Sequence, residues 1–160
     1  MSFRDELEGV SEASVRDCLA NTLNKQGYNV RTEYSVGDAQ GRVDIKAVKQ
    51  DDAFPVALFI EIKPGVTVRD CVAGMGQLLW YRYVNYIEDY SRLVLVLAVQ
   101  ADLARDRQFA AFCQANGIEL WGILDGGRRY FWASKRRGYK ARDVWLRSFA
   151  PKPSRSGRTR

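Results

Sequence analysis

The chain has 160 residues, of which 46% are hydrophobic and 28% charged, a balance that suits one folded domain. It contains no histidine, which excludes Ser-His-Asp triads, Cys-His pairs, HExxH zinc sites and His-dependent metal nucleases. No apolar run approaches the about 18 residues of a membrane span, and the first nine residues lack the apolar stretch of a secretion signal. We therefore expect a cytoplasmic, reducing location without membrane attachment.

Charge is distributed unevenly along the chain. Residues 1–127 carry 13 Lys/Arg and 18 Asp/Glu, net −5, whereas residues 128–160 carry 12 Lys/Arg and one acid, net +11. A basic end on a mildly acidic body predicts a polyanionic partner, for which nucleic acid is the usual candidate. The three cysteines, Cys18, Cys71 and Cys113, form no CxxC pair, so we expect small apolar side chains on helix faces rather than disulfides or zinc ligands.

Hydrophobic periodicity and turn residues predict nine elements after a possible first turn over residues 2–9. In chain order they are a helix over 11–26, strands over 28–36, 42–48 and 56–63, a helix over 67–90, a strand over 93–99, a helix over 102–116, and strands over 118–124 and 129–133. Ser11 and Asp102 are the expected N-caps, Gly27 the expected C′ residue, and 49–52 an expected hairpin loop.

This order predicts an α/β fold with a mixed central β-sheet flanked by helices. Three early strands form a meander, and a crossover helix then leads into an inner strand, since residues 93–99 are almost continuously apolar. We expect a single domain over residues 1–150. Residues 151–160 are rich in Pro, Ser, Gly and Arg, and we expect a disordered basic tail there.

Two of the predicted strands carry acidic residues within apolar sequence. Asp44 lies in GRVDIKAV, and Glu61 and Lys63 lie in ALFIEIKPG. Residues i and i+2 share one face of a strand, so Glu61 and Lys63 project together, and a hairpin would place Asp44 beside Glu61. An unpaired carboxylate is costly to bury, and a divalent cation or the neighbouring lysine would offset that cost.

Carboxylate oxygens with room for water are the ligands that Mg²⁺ prefers. With histidine absent, phosphodiester cleavage by carboxylate-held Mg²⁺ or Mn²⁺ is one of the few common hydrolytic reactions left. Lys63 would orient or deprotonate the attacking water and offset charge in the transition state. The same pattern also fits a charged network on a hydrated sheet face, because Asp…Glu-x-Lys alone is a loose motif.

Residues 10–125 resemble the PD-(D/E)XK, or restriction-endonuclease-like, nuclease superfamily. The similar parts are a helix with Glu12 in SEASVRDCL, Asp44 in GRVDIK, the strand ending in Glu61-Ile62-Lys63, and Gln77 in GQLLWYRY. The resemblance implies an α-β-β-β-α-β core. It also implies that Asp44 and Glu61 ligate the metal, that Glu12 reaches it directly or through water, that Lys63 assists the water, and that Gln77 and Tyr81 lie near the site.

The resemblance has two departures. Val43 stands where the motif has proline, and Glu8 fits the place of the N-terminal acid as well as Glu12 does. We favour Glu12 because Arg16, Leu19 and Leu23 continue its helical stripe, although it also suits the helix dipole. Gln77 also fits a buried, hydrogen-bonded amide.

Basic and aromatic residues alternate in the segment over residues 128–147. Its aromatics fit either base stacking or the core of a last strand and helix, whereas its cations favour phosphate contacts. The cations expected to bind nucleic acid are Arg128, Arg129, Lys135, Arg136, Arg137, Lys140 and Arg142.

The sequence thus predicts a Mg²⁺- or Mn²⁺-dependent endodeoxyribonuclease. Cutting both strands of a two-fold duplex most simply needs two active sites, so we expect a homodimer. A non-catalytic DNA-binding or assembly module of the same fold, and an RNase, stay open as alternatives.

Overall fold

The computed structural model describes residues 11–36, 41–51, 54–65, 67–84 and 92–134. The helices are α1 (Glu12–Lys25), α2 (Val68–Val84), α3 (Ala101–Ala104) and α4 (Arg107–Ala115). The strands are β1 (Asn29–Ser35), β2 (Arg42–Asp51), β3 (Phe54–Lys63), β4 (Arg92–Gln100), β5 (Ile118–Leu124) and β6 (Arg129–Trp132). The possible turn over 2–9 and the tail over 151–160 lie outside the described residues.

The strands form one six-stranded sheet in sequence order, β1-β2-β3-β4-β5-β6. The pairs β1–β2, β2–β3 and β5–β6 are antiparallel, and β3–β4 and β4–β5 are parallel. The predicted mixed sheet flanked by helices, with α-β-β-β-α-β order, is confirmed. No helix of the described part of the chain is long and apolar enough to cross a membrane.

Two apolar layers cover the sheet. On one face, Leu19 and Leu23 of α1 pack with Ile45 and Ile60. On the other face, α2 and α4 pack over Phe59 and Leu97. Successive side chains of a strand point to opposite faces, so each inner strand supplies both layers and reads as an apolar run.

Helix α1 begins and ends where its sequence predicts. The Ser11 side chain accepts a hydrogen bond from the Ser14 N–H at 3.1 Å, as an N-cap does. Gly27 has φ +89° after the last turn, a conformation that glycine adopts without steric cost. The predicted cap and C′ residue are both confirmed.

The predicted helix over 102–116 is wrong as a single element. Helix α3 ends at Ala104, and the Asp106 carboxylate accepts a hydrogen bond from the Phe109 N–H at 2.8 Å. Asp106, rather than Asp102, is therefore the N-cap of α4. An aspartate that can cap a new helix competes with continuing the old one.

The β2–β3 hairpin differs most from the predicted strand boundaries, and the end of the predicted helix over 67–90 is not described. Strand β2 continues to Asp51, because Lys49 pairs with Val56 and Gln50 with Pro55, so the hairpin connection is shorter than the predicted loop over 49–52. Helix α2 is described to Val84, and the rest of its predicted span, 85–90, lies outside the described residues.

Candidate active site

The β2–β3 hairpin brings Asp44 and Glu61 together. Its ladder pairs Ile45 with Ile60, so the next residues in this register are Asp44 and Glu61. There the regular ladder stops, and the Ile62 N–H donates to Asp44 Oδ2 at 2.7 Å. This bond holds the Asp44 carboxylate beside β3, as the predicted hairpin requires.

Glu61 is a buried carboxylate with an incomplete set of partners. Its side chain is only 2% exposed, and Lys63 Nζ lies 3.7 Å from Oε2. The other oxygen, Oε1, is buried without a hydrogen-bond partner among the described residues. Burying an acceptor oxygen without a hydrogen-bond partner normally destabilises the folded protein. Oε1 is therefore available to accept a bond from a ligand.

Burial controls the protonation of this carboxyl group. It raises the pKa of Glu61 to about 8. Repulsion from Asp44 and a side-chain hydrogen bond with Asp44 add to the rise, attraction to Lys63 opposes it, and Glu12 adds a smaller increase. Two acidic groups this close resist carrying two negative charges. At neutral pH the pair therefore holds a proton that a divalent cation can replace.

Lys63 lies at the boundary between protein and solvent. Its side chain is 21% exposed, and its stem passes Gly74 of α2. A Cβ atom added at Gly74 would lie 3.0 Å from Lys63 Cε and Cγ. The missing side chain at this position leaves the space that the lysine stem occupies.

Tyr81 connects α2 to the start of β2. Its hydroxyl donates to the Arg42 carbonyl at 2.7 Å, two residues before Asp44. Burial, followed by Glu61 and Asp44, raises the pKa of Tyr81 to about 12, so the phenol stays protonated and keeps this bond. Gln77, one turn earlier, has an exposed side chain, and its predicted role stays a prediction.

Arg16 of α1 is a neighbour that the sequence did not single out as a site residue. It is paired with Asp17 at 3.0 Å and with Glu33 at 3.2 Å. The hydrogen bond to Asp17 raises the pKa of Arg16, and Glu33 and Asp44 add smaller increases. Glu33 has φ +48° within β1, in the register position opposite Asp44. That conformation is uncommon for a non-glycine residue, and residue types alone give no signal of it.

Glu12 lies on the first turn of α1 with an exposed side chain. It is close enough to raise the pKa of Glu61. Within the described part of the chain, however, it does not join Asp44 and Glu61 in a three-residue group able to hold a metal. Its role as a ligand stays a prediction, and Glu8 lies outside the described residues.

The basic residues predicted to bind nucleic acid are only partly described. Arg128 and Arg129 are exposed, and Arg129 pairs with Asp125. Both line a cavity of about 500 Å³ between α1 and β6, together with Gln26 and Trp132. The other predicted cations, Lys135, Arg136, Arg137, Lys140 and Arg142, lie outside the described residues.

The predicted state of the cysteines agrees with the structure. Cys71 and Cys113 are buried, Cys18 is partly buried, and all three are free thiols. Each lies on a helix. Burial raises the pKa of Cys71 to about 11 and that of Cys113 to about 12, as expected for inert apolar-like residues.

Sequence comparisons identify no relative: no protein-family model and no curated protein matches the chain. Solved structures do match. An XisH family protein from Nostoc punctiforme superposes with a TM-score of 0.56 at 12% identity, covering 74% of this chain and 98% of that one. An fdxN element excision controlling factor protein from Anabaena variabilis gives 0.55 at 15% identity, with the same coverage. At these identities the likeness shows a shared fold.

Proposed function

We propose that this chain is a metal-dependent nuclease of the PD-(D/E)XK class that hydrolyses DNA phosphodiester bonds. The observation that supports this most strongly is Glu61, a carboxylate 2% exposed that lies beside Asp44 and Lys63. A buried acid with a raised pKa, a second carboxylate and a cation are typical of a functional site rather than of surface charge.

Asp44 and Glu61 fit a hard divalent cation. Both offer carboxylate oxygens, and Glu61 Oε1 has no hydrogen-bond partner among the described residues. Mg²⁺ is commonly bound by one or two carboxylates together with substrate phosphates and water, so two acids suffice in principle. When bound, the cation would supply electrophilic stabilisation of the phosphate and lower the pKa of a water molecule.

Lys63 would position the attacking water and stabilise negative charge on the phosphoryl group. Its Nζ lies 3.7 Å from Glu61 Oε2, and its stem is packed against Gly74. A partly buried ammonium group on a rigid strand is a preorganised cation, which stabilises developing charge better than a mobile surface lysine.

DNA as the substrate is supported by charge. Arg128 and Arg129 line an exposed cavity at β6, and residues 128–160 carry a net charge of +11. Lysine and arginine side chains bind DNA phosphates without recognising the base sequence. The name of one fold neighbour, an excision controlling factor, also fits a role on DNA.

One observation favours a second candidate, a non-catalytic DNA-binding or assembly module. Among the described residues no group of three acidic or other ligating side chains is arranged to hold a metal. Such a module would keep the basic surface and the fold but would not cleave.

A cleavage panel distinguishes the two candidates. The full chain is incubated with duplex, single-stranded, flap and four-way-junction DNA and with RNA, each with Mg²⁺, Mn²⁺ or excess EDTA. The nuclease predicts cleavage of at least one DNA substrate that EDTA abolishes. Binding without cleavage under every condition would favour the module, and cleavage of RNA alone would replace the DNA substrate. Cutting of both duplex strands would support the proposed homodimer, which light scattering then checks.

A further inference from the structure

The cavity of about 500 Å³ between α1 and β6 is a second concave site, which we call the α1–β6 cavity. Thr22 and Gln26 line it from α1, and residues 128–132 line it from β6 and the turn before that strand. Neither Asp44 nor Glu61 is among its lining residues. Its volume lies within the range of about 300–1,000 Å³ that is typical of small-molecule sites, so it can hold a small organic ligand.

Two hydrogen bonds across the α1–β6 cavity hold its walls in place. The Thr22 hydroxyl donates to the Gly127 carbonyl at 2.9 Å, which ties the turn before β6 to α1. The Tyr130 hydroxyl donates to Gln26 Oε1 at 2.7 Å. Because Oε1 is occupied, the amide NH₂ group of Gln26 is a donor without a partner among the described residues. The cavity is therefore preformed and has a donor available for a ligand.

The charged side chains that line the cavity are both basic. They are Arg128 and Arg129, and no acid is among the described lining residues. Arg129 bonds to Asp125 through Nε, so its two terminal amino groups have no partner in the described part of the chain. The Arg128 side chain makes neither a hydrogen bond nor an ion pair with a described residue. Two guanidinium groups against one carboxylate leave an excess of positive charge, and guanidinium groups match the oxygens of a phosphate.

Strand β6 gives the same cavity an aromatic wall. The side chain of Trp132 is 46% exposed. Tyr130 stacks on Trp121 of β5, with ring centroids 4.3 Å apart and an interplanar angle of 10°, so its ring is fixed. Ring faces beside cations are the combination that binds a nucleobase together with its phosphate, because every base has a face that stacks.

We propose that the α1–β6 cavity binds a nucleotide, with its phosphate on Arg128 and Arg129 and its base against Trp132. The Gln26 amide donates to an acceptor of the base or the sugar. The nucleotide is either free or one unit of a DNA strand. In the second case the inference rests on the proposed function, because it assigns to this cavity a further contact with the same substrate.

An NMR titration of the isotope-labelled full chain with deoxyadenosine monophosphate in EDTA tests the cavity. The indole N–H signal of Trp132, identified by its loss in Trp132→Leu, should shift to saturation. Affinities are read from the backbone amide signals of β6. Trp132→Leu should weaken binding roughly 5- to 100-fold, the range for losing a stacked base, and Trp132→Phe should keep most of the affinity. Arg128→Gln should weaken binding at least about 10-fold, as expected for losing a hydrogen bond to a charged group.

Two variants elsewhere on the surface are matched controls. Trp80→Leu removes a tryptophan that is 50% exposed on α2, and Arg107→Gln removes an exposed arginine of α4. Both should keep the wild-type affinity for the nucleotide. Circular dichroism and thermal melting check that every variant is folded.

Three results would overturn the proposal. They are a Trp132 indole signal that does not shift with the nucleotide, an unchanged affinity in Arg128→Gln, and a loss in Arg107→Gln as large as that in Arg128→Gln. Titrations with deoxyadenosine and with inorganic phosphate add a fourth test, since each should bind more weakly than the nucleotide. Phosphate that binds as tightly as the nucleotide would contradict a role for the base.

A short single-stranded oligonucleotide then identifies the source of the nucleotide. If the Trp132 and Arg128 substitutions weaken its binding as well, the cavity holds one unit of a strand. If they weaken only the binding of the mononucleotide, the ligand is a free nucleotide. All titrations are made in EDTA without cleavage, so their failure would leave the nuclease proposal standing.

Discussion

Two carboxylate–cation pairs in this molecule have similar chemistry and opposite behaviour. Glu61 and Lys63 lie on β3, and Asp125 and Arg129 lie where β5 turns into β6. The side chains of Asp125 and Arg129 are 47% and 68% exposed, and hydrogen bonding to the arginine lowers the pKa of Asp125. Glu61 is buried, and its pKa rises to about 8 although a lysine is adjacent.

The difference shows that burial, rather than the presence of a partner, decides what a carboxylate can do. An exposed pair is solvated and screened, and it contributes little to stability. A buried carboxylate next to a second one keeps a proton at neutral pH. Of the two pairs, Glu61–Lys63 therefore combines an acceptor oxygen, a replaceable proton and a fixed cation, and the predictions below test that contrast.

The largest expected effect is on cleavage by the carboxylate variants. Asp44→Asn and Glu61→Gln should each lower the rate by about 10³-fold or more, since each removes a charged oxygen at the reacting centre. Asp102→Asn, an exposed acid paired with Arg105 at 3.3 Å, is the control and should keep the wild-type rate. The measurement is single-turnover cleavage of the best substrate of the panel. Full activity in either site variant would remove that residue from the mechanism.

The lysine of the buried pair should matter next. Lys63→Ala should reduce cleavage by at least about 10²-fold, the usual scale for losing a general base or a charge stabiliser. Divalent-cation binding should persist, because the lysine is not a ligand. Arg105→Ala is the control: it removes the cation of the exposed Asp102–Arg105 ion pair and should leave the cleavage rate unchanged. Equal rates for Lys63→Ala and wild type would leave Lys63 with a structural role only.

The stability of the protein should depend on pH through Glu61. Its pKa rises from an ordinary 4.5 to about 8 on folding, so the folded state binds more protons than the unfolded state between these values. Stability is then greatest below about pH 4.5 for this group and falls as pH rises toward 8, by up to roughly 4 kcal/mol. Glu61→Gln should flatten this part of the profile in urea unfolding at pH 6 and pH 8.5. An unchanged slope would show that Glu61 is ionised in the folded protein.

A pair of glycines on α2 gives the smallest and most local contrast. A Cβ at Gly74 would meet Lys63 at 3.0 Å, whereas nothing lies within 4 Å of one at Gly76. Gly76→Ala should stabilise the helix by about 0.5–1 kcal/mol and leave cleavage unchanged. Gly74→Ala should displace the Lys63 side chain and slow cleavage several-fold, as expected when a catalytic group is moved. Thermal melting and the cleavage rate of the two variants are compared directly. Identical cleavage rates would mean that the Lys63 side chain accommodates a Cβ at Gly74 without losing its catalytic position.

Much of the fold follows from periodicity. Strand β5 was predicted with its observed bounds because Gly117 and Asp125 limit an apolar run. The shared face of Glu61 and Lys63 follows from the two-residue repeat of a strand, and the register then brings Asp44 to Glu61. The hairpin connection and the α3–α4 break were missed because polar residues serve equally as strand ends, loops and helix caps.

The electrostatics of the site could not be predicted from residue types. The residues next to Glu61 in sequence do not predict that its side chain is only 2% exposed. That burial comes from packing against α2 and β4. The left-handed backbone of Glu33 is likewise not signalled by the residue types around it. The exposure of Trp80 was equally hidden, since an aromatic residue in an apolar helix usually faces the core.

The most direct test of the buried carboxylate pair is Mn²⁺ binding measured by isothermal titration at pH 7.5 in two buffers of different ionisation enthalpy. The wild type should bind the cation with release of close to one proton, because the cation replaces the proton held by Asp44 and Glu61. Asp44→Asn and Glu61→Gln should lose the binding, and Asp125→Asn should retain it. Equal Mn²⁺ binding by wild type and Glu61→Gln, with no proton released, would contradict the account.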